Sequence, residues 1–415
     1  MAHLCLKSVK NAIENICFKH KLVISLINFY IELLLCSSLK RLFIISYLLK
    51  ILQYKEDIIL MAETKKKGRL FDLPETKGSF QLKGIVSGTE KDGFYKEIKT
   101  KSNKDMRIIN FGVGYAEGST LYVNLQGMEQ ENVYFSKRAE NKGDKPETAK
   151  VPWADRFSYN REGFRLIGKN IGVKKKVDET GKTVNDKKVM TDFDACKEVN
   201  DNLKDGASVF IRGNLDYSSF LDNNGNKKSS TKLIPNQISL CADVDFNDEN
   251  FTQQNDFNQV IIFMGIDQEK VDDKPTGRFV LSAKIVTYST IEDVEFIVEN
   301  KDLATKFKKS LKPYNAIKVS GHMVSSVQTE TVVDDDDNWG EEDAMEKVSA
   351  PVKREFIITG AKGSSIDKEL YTEANVSEAM AKIAQANKAE SDFGGDDKDD
   401  WGESNLDDSD EDEAW

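Results

Sequence analysis

The chain has 415 residues, a formal net charge of −11 at pH 7, five cysteines and three histidines. The histidines, His3, His20 and His322, are too few for a Ser/His/Asp or HExxH constellation, and no GxxxxGKS/T phosphate loop occurs. Cys196 and Cys241, the cysteines beyond residue 60, form no CxxC pair, which argues against a disulfide framework and a zinc site. We therefore expect a protein that is not an enzyme and that uses no metal or cofactor.

Residues 1–60 differ in composition from the rest of the chain, because they contain no Gly, Pro or Trp. Their two apolar runs, "LVISLINFYIELLLC" and "LFIISYLLKIL", are shorter than the ~20 residues that span a bilayer, and no small-residue cleavage site follows. Three interpretations are open: a helix pair at a membrane, a degenerate signal, or peptide translated upstream of a start at Met61. We favour the last, since "KED" at residues 55–57 can be encoded by a ribosome-binding sequence.

Charge divides the chain into a basic body and acidic appendages. Residues 390–415 carry a net charge of −12, and the run "DDDDNWGEED" at residues 334–343 carries −7. Residues 1–60 carry +4, which leaves +4 for the remaining body. This layout is typical of a protein that binds a polyanion and has acidic regulatory segments.

From Gly78 onward the sequence predicts short strands joined by turns. The stretch "SFQLKGIVSG" indicates one strand, and "MRIINFGVGYAEGSTLYVNLQG" indicates two more joined at residues 117–118. In the last of these, Leu121, Val123 and Leu125 share one face and Tyr122 faces the other way, as in a half-buried strand.

A long polar insertion, rich in Lys, is predicted over residues 128–190. The stretch "TDFDACKEVNDNLKDG" then predicts a helix, with apolar residues at helical spacing between an N-cap and a glycine stop. These are Thr191 as N-cap, Phe193, Cys196, Val199 and Leu203 on the apolar face, and Gly206 as the stop. Two strands follow, "ASVFIRGNLDYSSF" and "TKLIPNQISLCADV", around the turn "LDNNGNKKSS".

The same order recurs later in the chain, which indicates an internal repeat. In "DLATKFKKSLKPYNAIKVSGHMVSSV", a helix precedes a strand in which Gly321 corresponds to Gly213 and Met323 corresponds to Leu215; "REFIITGAKG" then closes the copy. We predict a mainly β protein with two tandem OB-fold-like five-stranded barrels, each with a helix before its fourth strand. Two unrelated β-sandwich domains are the alternative.

The predicted segments are a first barrel over residues 78–246, a second barrel over 257–362, a short helix over 373–389 and a disordered acidic tail over 390–415. In the second barrel, "NQVIIFMGI" and "RFVLSAKIV" are almost continuously apolar. Such strands are buried on both faces, here against either the first barrel or a partner subunit. A homo-oligomer formed through the second barrel is therefore open.

OB-folds bind single strands by combining basic grooves with aromatic rings on which bases stack. In the first copy, inward Val209 and Ile211 leave Phe210 and Arg212 outward. By this logic the candidate nucleic-acid-binding residues are Phe94, Tyr95, Lys96, Tyr122, Trp153, Arg156, Phe157, Arg165, Phe210, Arg212, Tyr217, Phe220, Lys227 and Lys228. Each of them could instead serve packing or a solvated turn.

An acidic phrase containing Trp recurs toward the end of the chain: "DDNWGEED", "DDWGES" and the terminal "EDEAW". An acidic arm with aromatic rings resembles a short single strand, so it could compete for the same groove or be held in a partner's basic pocket. The candidate partner-binding residues are Trp401, Asp410, Glu411, Asp412, Glu413 and Trp415.

Barrels followed by an acidic tail with an aromatic end resemble bacterial and bacteriophage single-stranded DNA-binding proteins, in particular the phage type whose tail ends in Phe. The resemblance covers the architecture from Gly78 to Trp415, without a linear motif in the barrels. It implies a cytoplasmic protein of DNA replication, recombination or repair, which acts in the host cytoplasm if it is phage-encoded. It also implies that the tail recruits replication or recombination proteins and competes with DNA. Two barrels in one chain, the insertion, the internal acidic run and the terminal Trp depart from the family pattern.

Two other functions remain open at the level of sequence. One is a protein-interaction factor or DNA mimic in which the barrels serve only as scaffold, and the other is an RNA-binding OB protein. We expect no stable association with a membrane. A strand binder differs from a mimic in that its affinity for oligonucleotides falls steeply with salt.

Overall fold

The computed structural model describes residues 69–100, 102–139, 141, 144–221, 227–271, 273–327 and 352–393. The expectations for residues 1–60, for the acidic run at 334–343 and for the tail beyond residue 393 lie outside these residues. All elements described below fall in one compact unit that begins at Phe71. Within the described part of the chain, no helix is long and apolar enough to cross a membrane.

The first barrel begins with four strands, β1 (Gly78–Ser87), β2 (Tyr95–Lys99), β3 (Asp105–Ala116) and β4 (Ser119–Met128). Strand β3 pairs antiparallel with β1, β2 and β4. Strands β3 and β4 are joined by the predicted tight turn, in which Gly118 has a φ of 66°, a conformation that glycine adopts without strain.

The insertion that follows β4 contains seven short strands. They are β5 (Asn132–Lys137), β6 (Glu147–Pro152), β7 (Phe164–Leu166), β8 (Lys169–Gly172), β9 (Lys175–Val177), β10 (Thr183–Asn185) and β11 (Lys188–Met190). Strand β5 pairs with β6 and β7, and this small sheet has its own apolar cluster around Val133, Phe135 and Val151. The insertion is therefore a folded subdomain.

Helix α1 (Asp192–Asn202) begins where the sequence predicted. The Thr191 hydroxyl accepts a hydrogen bond from the Asp194 backbone N–H at 3.1 Å, which confirms the N-cap. The predicted apolar face is buried, and Gly206 has a φ of 81° in the turn that follows the helix.

Strands β12 (Ser208–Leu221) and β13 (Lys227–Leu240) close the first barrel. Strand β12 pairs with β1 and with β13, and β13 returns parallel to β4. Strands β1 and β2 pair with successive parts of β3 and count as one barrel strand, so the helix lies between the third and fourth barrel strands, as predicted for an OB-fold. Strand β8 of the insertion pairs parallel with β13 and extends the sheet.

The second barrel repeats this plan. Its elements are β14 (Gln254–Val271), β15 (Lys274–Val286), β16 (Ile291–Val298), helix α2 (Lys301–Ser310), β17 (Ala316–Val327) and β18 (Val352–Asp367). The strands pair in the order β14–β15–β16–β18–β17–β14, with the β16–β18 pair parallel. Helix α3 (Glu373–Phe393) follows and ends four residues beyond the predicted 373–389.

Two glycines mark the same bend in the two barrels. The strand register shifts between Arg212 and Gly213 in β12 and between Ser320 and Gly321 in β17. A Cβ at Gly213 would collide with the carbonyl oxygen of Ile234, and Gly321 has the matching conflict across β18. The predicted correspondence of these glycines is confirmed, because each allows a bulged strand to turn the barrel corner.

The two barrels are joined through their first strands. Strand β1 pairs antiparallel with β14, with Phe80 opposite Phe257, and one hydrophobic core runs through both barrels. The apolar β14 is therefore buried against the first barrel, which is one of the two outcomes expected from its sequence. Its apolar face consequently supplies no argument for a second copy.

The last hairpin of each barrel also reaches the other barrel. The backbone N–H of Ser325 in β17 donates to the Tyr115 hydroxyl at 3.1 Å, and the Arg354 guanidinium of β18 donates to the Thr231 carbonyl at 2.6 Å. From the first barrel, the Tyr217 ring lies 6.4 Å from that of Phe356.

Replacing Gly213 with Ala should destabilise the fold, because the added methyl group would force the tightly packed β12–β13 corner apart. Overpacking of this kind typically costs about 1–3 kcal/mol. The midpoint of denaturant unfolding measures the effect. Gly265→Ala in β14 is the control, since a Cβ there meets nothing within 4 Å. Equal midpoints for the two variants would contradict the corner role of Gly213.

Candidate nucleic-acid interface

The outward sides of β3 and β4 form a continuous surface, which we call the strand face. Alternate residues of both strands, including Phe111 and Val123, are buried in the core, so the residues between them point outward. The strand face comprises Met106, Ile108, Asn110, Gly112 and Gly114 of β3 and Thr120, Tyr122, Asn124, Gln126 and Met128 of β4. None of these ten residues is charged at neutral pH.

Tyr122 is the aromatic residue of the strand face, and 57% of its surface is exposed. It lies opposite Gly112, where a Cβ would press against the small side chains of Ser87 and Thr120. The ring is therefore bordered by small groups rather than by a bulky side chain. The alternation predicted for Tyr122 from the sequence is confirmed.

Polar and cationic groups surround this ring. Asn110 and Asn124 are opposite each other, and the Asn124 amide donates to the Asn110 side-chain oxygen. Exposed Lys96 of β2 lies opposite Ile108 at one side of the face. On the other side, Leu233 of β13 is the parallel partner of Val123, which places Lys232 beside Tyr122 on the outward side.

Lys232 was not among the candidates predicted from the sequence. It precedes the buried Leu233 in an alternating strand, and this pattern would have placed it on the outward side. Asp216 of β12 is its partner across the β12–β13 pair. Burial raises the pKa of Asp216, and Lys232 opposes that rise. The cation of Lys232 is thus partly balanced, whereas Lys96 stands without an opposing carboxylate in its strand pair.

Two of the candidate aromatic residues, Phe94 and Tyr217, are buried, and the expectation that they bind nucleic acid is wrong. Phe94 is 5% exposed and packs edge-on against Phe111 at 6.4 Å. Tyr217 is also 5% exposed and fills the space between the barrels. Neither ring can offer a face to a base.

Tyr95 is half-buried on the inward side of β2, opposite Ile109. Its hydroxyl donates to the Glu97 carboxylate at 2.8 Å, and burial together with this bond raises the pKa of Tyr95 to about 12. Glu97 in turn pairs with Arg107, whose guanidinium lies 3.7 Å from the centre of the Phe193 ring. Tyr95 therefore helps hold β2 against α1, and its predicted role in stacking stays a prediction.

Arg156 and Trp153 fasten the insertion to the start of α1. The Arg156 guanidinium donates to both carboxylate oxygens of Asp194, at 2.9 and 3.1 Å, and it lies 4.2 Å from the centres of the Trp153 and Phe157 rings. Trp153 meets Phe193 edge-on at 5.9 Å. These contacts give both side chains a packing role, and their predicted role as nucleic-acid contacts stays a prediction.

Other residues of the insertion remain open to solvent. Phe157 is 75% exposed despite its contact with Arg156, and Arg165 is exposed on β7. Residues 128–190 carry 15 Lys and Arg against 10 Asp and Glu, a net charge of +5. The insertion is therefore a basic extension at the end of β4, with Phe157 as its most exposed aromatic residue.

Phe210, Arg212 and Phe220 lie on β12, apart from the strand face. Half-buried Phe210 and exposed Arg212 are outward on β12, opposite Lys83 and Gln81 of β1. Phe220 is 47% exposed near the end of the same strand. The backbones of Lys227 and Lys228 pair with β12, but their side chains and the tail residues Trp401, Asp410, Glu411, Asp412, Glu413 and Trp415 lie outside the described residues.

The fold and this surface define a class of protein. It is a tandem OB-barrel protein whose first barrel presents the uncharged strand face, with an exposed aromatic ring between lysines. The chain belongs to the YorF family, whose family model matches residues 138–396, from within the insertion through α1, β12, β13 and the second barrel to α3. No curated protein sequence matches it.

Among solved structures, the chain is similar to the wild-type single-stranded DNA binding protein of Thermus aquaticus, with 11% identity and a TM-score of 0.33 over 70% of this chain and 93% of that one. A deletion mutant of the same protein gives 10% identity and a TM-score of 0.34 over 69% and 94%. At these TM-scores the likeness carries no argument about function.

Asp194→Asn should loosen the insertion, because the substitution removes the charged partner of Arg156. Weakening such a partly buried ion pair costs about 1–3 kcal/mol. Limited trypsin digestion should then cleave within residues 131–190 faster than in the unmodified protein. Asp201→Asn, which breaks an exposed pair with Lys197 on α1, is the control and should digest at the original rate. Identical digestion of all three proteins would show that the ion pair does not hold the insertion.

Proposed function

We propose that this protein is a non-enzymatic, sequence-tolerant binder of single-stranded DNA. The observation that carries the proposal is the exposed Tyr122 ring on an uncharged strand face, bordered by Gly112 and flanked by Lys96 and Lys232. Phosphate groups would meet no carboxylate on the face itself. The basic insertion at the end of β4 extends the favourable charge.

The chemistry of this face suits a strand of any sequence. Every base has a flat apolar surface, and stacking on an aromatic side chain contributes about 1–3 kcal/mol per base. The amides of Asn110, Asn124 and Gln126 could donate to or accept from any base edge. Lys96 and Lys232 lie at the sides of the face, where they could contact phosphates, so affinity should fall as salt rises.

The wider role in this proposal is DNA replication, recombination or repair in the cytoplasm, in a host cell if the protein is phage-encoded. The acidic tail would recruit replication or recombination proteins and compete with DNA for the first barrel. What supports this extension is the sequence resemblance described above and the charge of the tail, −10 over residues 394–415.

Tyr122→Ala should weaken the binding of labelled oligo(dT) about 5- to 150-fold, which corresponds to the loss of one stacked base. The matched control is Tyr288→Ala, since Tyr288 is also 57% exposed but lies in the second barrel, between β15 and β16. Fluorescence anisotropy at two salt concentrations gives both the affinity and its salt dependence.

The same titration separates the competing functions. Unmodified protein that shows no salt-dependent binding of oligo(dT) would refute the proposal and favour a DNA mimic. Preference for oligo(U) over oligo(dT) would favour RNA as the ligand. Equal losses in Tyr122→Ala and Tyr288→Ala would place the stacking site elsewhere.

Deleting residues 394–415, beyond the end of α3, should tighten DNA binding. A tethered acidic arm has an effective concentration of mM order near a basic groove, so its removal relieves competition. The gain should be larger at low salt, because screening already weakens the arm at high salt. Affinity for oligo(dT) and capture of a replicative polymerase are measured side by side.

Trp415→Ala serves as the matched control for this deletion, because it keeps the charge of the tail and removes its terminal ring. It should leave DNA affinity unchanged while weakening polymerase capture. A truncated protein with unaltered DNA affinity and unaltered polymerase capture would show that the tail performs neither task.

A further inference from the structure

The internal repeat allows the two barrels to be compared residue by residue. Phe80 of β1 lies opposite Gly213, and Phe257 of β14 lies opposite Gly321, so the two phenylalanines correspond. Ile85 follows Phe80 by the same number of residues as Ile262 follows Phe257, so these two isoleucines also correspond. Because Ile85 pairs with Gly114 and Ile262 pairs with Lys284, the registers of β3 and β15 are matched as well.

This match identifies the surface of the second barrel that corresponds to the strand face. The pair Gly112–Tyr122 corresponds to Ser282–Glu295, and the pair Gly114–Thr120 corresponds to Lys284–Asp293. We call this surface the matched face; it comprises Val280, Ser282 and Lys284 of β15 and Asp293, Glu295 and Ile297 of β16.

The matched face carries carboxylates where the strand face carries none. An exposed glutamate, Glu295, stands at the position of the aromatic Tyr122, and Asp293, whose side chain is 63% exposed, stands at the position of Thr120. The neighbouring strand shows the same change. Leu215 corresponds to Met323, and their strand partners are Leu233 and Phe356. Glu355, which precedes Phe356, therefore occupies the position of Lys232, which precedes Leu233.

Two cations near the matched face are already paired with carboxylates of the same barrel. Lys284 forms an ion pair with Asp293, and Arg278 bonds to both Glu269 and Glu355, which raises the pKa of Arg278 above its usual range. Arg354, which lines the adjoining groove of about 730 Å³, donates to the Thr231 carbonyl. Glu355 is buried in its pair with Arg278, whereas exposed Glu295 faces an incoming phosphate, and the cations near it do not outnumber the carboxylates.

We infer that the chain binds one strand segment, through the first barrel, and that Asp293 and Glu295 exclude polyanions from the equivalent surface of the second barrel. The inference rests on the proposed function and adds to it a second surface, the matched face, that does not bind the ligand. The carboxylate of Glu295 repels each phosphate that approaches, and Asp293 holds the ammonium group of Lys284, which could otherwise bind a phosphate. The second barrel then serves as the scaffold that supports the first.

The test transfers the residues of the first barrel to the second. In the double variant Asp293→Thr/Glu295→Tyr, an aromatic ring replaces one carboxylate and Lys284 is released from the other. Native mass spectrometry with a short oligo(dT), at protein concentrations above the dissociation constant, should show one oligonucleotide per unmodified chain and two per variant chain. The matched control is Asp273→Asn/Glu299→Gln, which removes two charges from exposed positions of the second barrel outside the matched face and should still bind one.

A second variant keeps the test decisive. Tyr122→Glu, which gives the first barrel the residue of the second, should weaken oligo(dT) binding more than tenfold in the unmodified background. Combined with Asp293→Thr/Glu295→Tyr, it should leave one oligonucleotide per chain. Unfolding midpoints show that each variant is folded.

The possible failures are distinguishable. Unmodified protein that binds two oligonucleotides per chain, or Tyr122→Glu that retains one at full affinity, would overturn the inference while strand binding itself stands. A folded Asp293→Thr/Glu295→Tyr variant that still binds one would refute the role of these two carboxylates. Unmodified protein that binds no oligonucleotide would overturn the proposed function together with the inference.

Discussion

The pairing of β1 with β14 is the constraint on which the rest of the structure depends. Each of these strands also belongs to its own barrel, since β1 pairs with β12 and β14 pairs with β17. Main-chain hydrogen bonds therefore continue from one barrel into the next without an exposed edge between them. Phe80 and Phe257 meet across this seam, and their burial makes the separation of the barrels costly.

Fusion of the barrels at this seam also determines which surfaces remain free. The hairpin β17–β18 contacts the first barrel at Tyr115 and Thr231, and Tyr217 from the hairpin β12–β13 contacts the second barrel. The outward sides of β3–β4 and β15–β16 remain as corresponding surfaces on a shared barrel plan. A difference in ligand binding between them can then come from their side chains and from the insertion, which follows β4 and has no counterpart after β16.

The sequence predicted the parts of the fold that local rules decide. Thr191 and Gly206 delimit α1 through capping and a positive φ, and the repeated Gly213 and Gly321 follow from the steric demands of the barrel corner. Tyr122 was placed correctly because period-two alternation fixes the face of a strand. The same alternation places Tyr217 with the inward residues of β12, so the sequence already argued against Tyr217 as a nucleic-acid contact.

Other features depend on contacts between distant segments, and no local sequence pattern predicts them. Arg156 and Asp194 are 38 residues apart, and nothing around Arg156 in the sequence distinguishes a paired guanidinium from a free one. Phe94 is buried because the chain crosses the barrel beside Phe111, which is a property of the closed sheet. The pairing of β1 with β14 could likewise not be predicted, since an apolar strand indicates burial but does not identify the strand it pairs with.

The contrast between the two faces shows how a duplicated barrel can keep its fold while its surface chemistry changes. Inward positions are restricted by packing: Val123 corresponds to Phe296, and both are fully buried. The outward neighbours are free of that restriction, so Tyr122 in one copy can be Glu295 in the other with no change of backbone. Because the replacement puts a carboxylate in place of a ring, a few outward side chains would be enough to make one barrel bind an anion and the other repel it, as we propose. A change of this size lies outside the core, and the stability of the fused barrels does not oppose it.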